Sequence, residues 1–434
     1  MLGKSGRWLL RGFGGVGGRN FSRNHDPNPA TNAACIERER SFGAHNYKPV
    51  PVVLRSAKGV FVWDVEGRRY YDFLASYSAV NQGHCHPRIV AAMVDQLASV
   101  SLTSRAFYAE IMGQYAEYIT RLFGYDKVLP MNTGVEGGDT AVKLARRWGY
   151  EVKGIPSNQA RVVFAENNFW GRSIAAISSS TDPDSYGEFG PFVPGFDIVP
   201  FNNLSALDKA LANPNVAAFM VEPIQGEAGV VVPDAGYLKG VRELCDKHKV
   251  LFIADEVQAG LGRTGKMLAC EHEGVRPDIV VLGKALSGGV FPVSAVLADD
   301  PIMLLIKPGQ HGSTYGGCPL ACRVAMEALK VVVDEKLCEN SEKMGRLLMK
   351  ELGKLPKDQV RFVRGKGLFT AVGIAPGVGS AWDVVLALAS NGLLAKNTHN
   401  DVIRFAPPLT ISEEQVMDCV SIIAETLAEC AAKK

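Results

Sequence analysis

The sequence predicts an α/β protein: a large domain on a mostly parallel central sheet flanked by helices, followed by a smaller α+β domain at the C-terminal end. Two observations predict it. Between about residue 85 and residue 325, short apolar runs bounded by turn residues alternate with amphipathic segments, the pattern of strands buried on both faces and joined by covering helices. From about residue 326 onward helical periodicity dominates, with shorter strands between the helices. At 434 residues the chain exceeds what one hydrophobic core serves, so more than one domain is expected.

The elements follow in order. Residues 1–25 carry Lys4, Arg7, Arg11, Arg19 and Arg23 and no acid, with Trp8, Leu9, Leu10 and Phe13 free to form an apolar face; this composition predicts a mitochondrial presequence and a matrix location. An N-terminal segment, 26–84, opens with a linker containing Pro27 and Pro29. In the large domain, 85–325, strands are expected at Val128–Met131, Arg161–Ala165, Ala217–Val221, Val250–Ala254, Ile279–Leu282 and Val293–Leu297. Helices are expected at Glu136–Lys153, Ser205–Ala212 and Gly236–Lys249. The small domain, 326–434, offers helices at Met326–Asp334, Asn340–Leu355 and Glu413–Ala432 and a strand at Leu368–Ile374.

Composition excludes several classes of function. Basic and acidic residues number 47 and 45, a net charge of +2, which gives no electrostatic footprint for nucleic acid. No apolar run approaches the ~20 residues that span a bilayer. Nine cysteines without framework spacing suit a reducing compartment. His84-Cys85-His86 and the Cys318/Cys322 pair lack a second ligand pair at zinc spacing, so no metal is expected.

In open α/β sheets ligands bind at the carboxyl ends of the strands. The residues there are polar: Asn132, Glu166, Glu222, Asp255 and Gly283-Lys284. Lys284 is the only charge between Asp278 and Asp299, and an ammonium in apolar surroundings needs a partner or gives up its proton. Asp255 ends the apolar run VLFIAD, so a carboxylate and a lysine close neighbouring strands. TGVEGG, residues 133–138, reads as a capping box at a helix start, and a glycine-rich turn into a helix also presents N–H groups to a phosphate. HGSTYGG, residues 311–317, adds two hydroxyls in a second glycine-rich loop. A Schiff-base lysine, an aspartate for a pyridinium nitrogen and two phosphate loops together point to pyridoxal phosphate.

LFIADEVQAGLGRTG, DIVVLGKALSGG and HGSTYGG resemble the class III, fold-type I aminotransferases. SYSAVNQGHCHP (76–87), TSRAFY (103–108), NFWGR (168–172), VEPIQGEAG (221–229) and RFAPPL (404–409) resemble the ornithine-using branch in particular. The resemblance implies that Lys284 binds the cofactor covalently and shuttles the proton, Asp255 holds the ring nitrogen and Gln258 the phenolic oxygen, and Phe169 stacks on the ring. It further implies phosphate contacts from Gly134 and Val135, and from Ser313 and Thr314 toward the cofactor of a second subunit, hence an obligate homodimer. For substrate it implies Tyr47 at the α-amino group of ornithine and Arg172 at its carboxylate, with Tyr77 lining the pocket. Arg404 would bind the α-carboxylate of glutamate or 2-oxoglutarate and be neutralised by Glu227 while ornithine is bound.

The activity so implied is transfer of the δ-amino group of ornithine to 2-oxoglutarate, giving glutamate and glutamate 5-semialdehyde, which closes to pyrroline-5-carboxylate. Rival readings are an ω-aminotransferase for N-acetylornithine or 4-aminobutyrate, from which Tyr47 separates it, and a non-catalytic relative, against which Lys284 and Asp255 argue. Gly137, Asp139, Ala259 and Cys318 depart from the family pattern.

Overall fold

The computed structural model describes residues 31–398 and 401–433. The expected presequence, 1–25, lies outside the described residues. The large domain is a sheet of seven strands: β1 Lys127–Met131, β2 Arg161–Ala165, β3 Phe196–Val199, β4 Val216–Val221, β5 Leu251–Asp255, β6 Ile279–Leu282 and β7 Ser294–Ala298, in the order β1-β7-β6-β5-β4-β2-β3. β7 alone runs antiparallel to its neighbours, and the remaining pairs are parallel. β4, β5 and β6 are buried along their whole length, which is why each reads as an unbroken apolar run.

Several expectations need correction, among them the helix expected over Asn340–Leu355, which runs Leu337–Leu352. β3 was not expected: it is the edge strand, only partly buried, and its FDIV carries Asp197, paired in the structure with Arg161, so no apolar run announces it. The helix expected from Met326 begins at Pro319, because Cys318 caps it: its sulfur accepts the Ala321 N–H at 3.5 Å and proline fills the first turn. The helix expected over Glu136–Lys153 runs Gly134–Glu151, capped by Thr133 and Glu136 in a capping box.

Strands Leu54–Lys58, Phe61–Asp64 and Arg69–Asp72, from the N-terminal segment, form a sheet completed by Leu393–Leu394, which pairs parallel to the third. A second small sheet is antiparallel, in the order Val360–Lys366, Phe369–Ile374, Val402–Phe405, Lys396–Thr398. It delivers Arg404 to the edge where β4, β5 and β6 end. The helix Glu413–Ala432 stands as expected, and Ala381–Ser390 is an additional one.

Candidate active site

Lys284 follows β6 in a short 3-10 turn, Lys284–Ser287, with φ +40°, a left-handed value that a non-glycine residue adopts only where its surroundings impose it. Its amine has no hydrogen-bond or ion-pair partner among the described residues. Burial pushes its pKa below the usual lysine value, against the pull of Glu227 and Asp255. An amine in that condition is a nucleophile over more of the pH range than a surface lysine.

Asp255, the last residue of β5, is 5% exposed, and one of its oxygens accepts the Val257 N–H at 3.0 Å. Burial raises its carboxyl to about 6, opposed by that N–H and by Lys284. Lys284, Asp255, Gln258, Phe169, Gly134 and Val135 line one cavity of about 210 Å³. Six residues expected from four separate segments therefore meet. Trp170, Gly171, Glu222 and Val257 complete the wall. Glu222 was signalled by its place directly after the wholly apolar β4 and, like Val257, lay inside a segment of family resemblance, but neither was assigned a role.

Two glycines are required by close approach. A Cβ on Gly226 would fall 2.4 Å from Cδ of Gln258, and one on Gly171, at φ +145°, would fall 2.3 Å from Cγ2 of Val135. Larger residues there would displace Gln258 or the first turn of the helix.

Beside the cavity lies a buried arginine. Arg404, 2% exposed, donates from Nη1 to Oε1 of Glu227 at 2.9 Å and to Oε1 of Gln258 at 2.6 Å, and Gln258 Nε2 donates to Glu227 at 3.2 Å. Burial works to raise the Glu227 carboxyl, but the guanidinium holds it below its ordinary value. The Arg404 guanidinium lies 4.8 Å from the centre of the Tyr77 ring. Tyr77 is carried by four successive left-handed residues, Ala75 to Ser78, with φ of 46°, 49°, 61° and 73°. Asp72 fastens that segment by accepting the Leu74 and Ala75 N–H groups at 2.8 and 2.9 Å, while His84 holds its other oxygen at 2.6 Å.

Tyr47 is 79% exposed and close enough to Tyr77 to raise the pKa of that phenol, though burial and Glu227 weigh more. Arg172 is exposed, hydrogen-bonded to Ser185 at 3.0 Å and 5.4 Å from the Phe169 ring centre. Ser313 and Thr314 do not reach the Lys284 cavity of their own chain. They line another, of about 700 Å³, with Ser104 and Arg105 from TSRAFY, and Ser313 accepts hydrogen bonds from Asn132 at 2.8 Å and from the Gly316 N–H at 2.9 Å.

Comparison with known families matches residues 42–427 to the family Aminotransferase class-III. The chain belongs to the class III aminotransferases. The seven-stranded sheet with its smaller domain is the fold-type I architecture of that family. This class III aminotransferase is 62% identical over 407 residues to the mitochondrial ornithine aminotransferase of Rattus norvegicus, covering 94% of this chain and 93% of the relative. Among solved structures, the ornithine aminotransferase of Toxoplasma gondii, with partial occupancy of pyridoxal phosphate at its active site, superposes with a TM-score of 0.92 at 47% identity, over 96% of this chain and 99% of that one. An acetylornithine aminotransferase from Elizabethkingia anophelis superposes with a TM-score of 0.85 at 56% identity, over 92% and 100%.

Proposed function

We propose that this chain is an L-ornithine 5-aminotransferase that uses pyridoxal phosphate and 2-oxoglutarate, acting as a homodimer in the mitochondrial matrix. The observation that carries the reading is the Glu227–Arg404 pair beside Lys284. Ornithine must present its δ-amine with its carboxylate remote, whereas glutamate presents its α-carbon with a carboxylate close by. A buried arginine that is neutralised in one half-reaction and released in the other serves both substrates in one site.

The cavity suits the cofactor. Gly134 and Val135 open an 18-residue helix, and among the described residues no acceptor takes their N–H groups, so they and the helix dipole remain for a phosphate. The free oxygen of Asp255 offers an anionic partner to a protonated ring nitrogen, and Phe169 supplies an aromatic wall. Pyridoxal phosphate bound there supplies the electron sink that lets the amine-bearing carbon lose a proton. Lys284 Nζ takes that proton and returns it, and its lowered pKa keeps the amine able to accept it.

Tyr47, near Tyr77, and Arg172, beside Phe169, would hold the α-amino and α-carboxylate groups of ornithine. Phe107, Tyr108 and Tyr315 are 75%, 100% and 51% exposed, an aromatic surface suited to a second copy, which would bring Ser313 and Thr314 to its partner's phosphate. The similarity to an acetylornithine aminotransferase favours a second reading, N-acetylornithine as substrate. Assay of the purified enzyme with ornithine, N-acetylornithine and 4-aminobutyrate in parallel decides between them. Turnover of ornithine at least tenfold faster than of the others is expected, and a preference for N-acetylornithine would overturn the proposal.

A further inference from the structure

Glu222 has no part in the chemistry above, yet it is 5% exposed and forms part of the cavity wall that holds Lys284 and Asp255. Its Oε1 accepts the Phe169 N–H at 3.1 Å and its Oε2 accepts the Gly226 N–H at 3.0 Å. Phe169 belongs to the loop after β2; Gly226 belongs to the turn after β4 and directly precedes Glu227. A single side chain thus joins the aromatic wall of the cavity to the turn that carries the partner of Arg404. A second strap runs beside it, from Gln225 Nε2 to the Glu166 carbonyl at 2.7 Å. The Phe169 end is fixed independently, since Asn168 Nδ2 donates to the carbonyls of Ala165 and Ser179 at 2.8 and 2.7 Å.

Resting on the reading of this cavity as a pyridoxal phosphate site, we propose that Glu222 is a positioning residue that locks the Phe169 wall and the Glu227 turn together and adds the negative charge that makes the site prefer a protonated pyridine ring. The charged groups facing it are Asp255 at the end of β5 and Lys284 after β6. Burial and then Asp255 raise the Glu222 carboxyl to about 8, while the Gly226 and Phe169 N–H groups and Lys284 pull it down. Two carboxyl groups in one dry cavity disfavour each other's ionisation, and a cation placed between them relieves both. A cationic ring nitrogen at Asp255 therefore interacts with Glu222 as well, and binding it shifts Glu222 toward the anion, the form its two N–H donors favour.

The test uses the full chain loaded with pyridoxal phosphate, comparing wild type with Glu222→Gln and Glu222→Asp. Glu222→Gln keeps the shape and one acceptor but loses the charge and the second acceptor. It is expected to release the cofactor at least tenfold faster than wild type and to lower the pH midpoint of the cofactor's visible band; Glu222→Asp, which keeps the charge, is expected to keep the midpoint near wild type. A Gln variant matching wild type in both release rate and midpoint overturns the role of Glu222 while leaving the cofactor reading intact. A wild-type chain that takes up no pyridoxal phosphate overturns both. Should Glu222→Gln fail to fold, amide hydrogen exchange of wild type decides instead: slow exchange at both Phe169 and Gly226 supports the lock, and fast exchange at both overturns it.

Discussion

Lys284 and Asp255 were legible because each breaks an otherwise apolar run, and an apolar run tolerates a charge only for a reason. Glu227 and Arg404 were not legible in that way. They lie 177 residues apart and each looks ordinary alone, so only the family resemblance joined them before the structure brought them to 2.9 Å. Tyr77 owes its place to four left-handed residues that no side-chain pattern marks. Two predictions belong at this scale. Replacing Glu227 by Ala frees Arg404 from its carboxylate, so single-turnover rates should rise for the glutamate half-reaction relative to the ornithine half-reaction; equal changes in the two would make the pair a structural brace.

The second concerns pH. Burial raises Glu222 from 4.5 to about 8 and Asp255 from 3.8 to about 6, so without cofactor the folded chain holds protons that the unfolded chain releases. That stability is fully present below the ordinary carboxylate range and is lost as pH rises through about 6 to 8. For Glu222 the shift corresponds to on the order of 5 kcal/mol. The Tm of the cofactor-free protein should therefore fall between about pH 5 and pH 8.5, and Glu222→Gln, with no proton to lose, should show a shallower fall.

At the scale of elements, the strands that read correctly are those buried on both faces. β2 and β6 coincide with the expected bounds because charged or glycine residues close their apolar runs: Glu166 after β2, and Asp278 and Gly283 on either side of β6. β3 and the strands of the N-terminal segment were missed because they are short and partly exposed, so neither a continuous run nor a clean alternation appears. The helix from Pro319 to Asp334 was entered late because its cap is a cysteine, which gives none of the usual signal of Ser, Thr, Asp or Asn. Sulfur is a weak acceptor, so Cys318→Asn should stabilise the protein by about 0.5–1 kcal/mol. A higher Tm at unchanged activity would show it; a lower Tm would mean that burial of the thiol, 2% exposed, outweighs the cap.

For the whole molecule, a sheet joins the N-terminal segment to the C-terminal region. The strand Arg69–Asp72 pairs with Leu393–Leu394, more than 300 residues later in the chain. Among the described residues the sequence order therefore hides a long-range pairing that no local pattern encodes. Residues 1–35 fused to a fluorescent reporter should carry it to mitochondria; a diffuse cytosolic signal would count against the proposed address. The central claim, transfer of the terminal amine, is tested most directly by isotope. Ornithine carrying nitrogen-15 at its δ-amine should give nitrogen-15 glutamate from unlabelled 2-oxoglutarate, and ornithine labelled at the α-amine should give unlabelled glutamate. Label reaching glutamate from the α-amine, and not from the δ-amine, would contradict the account.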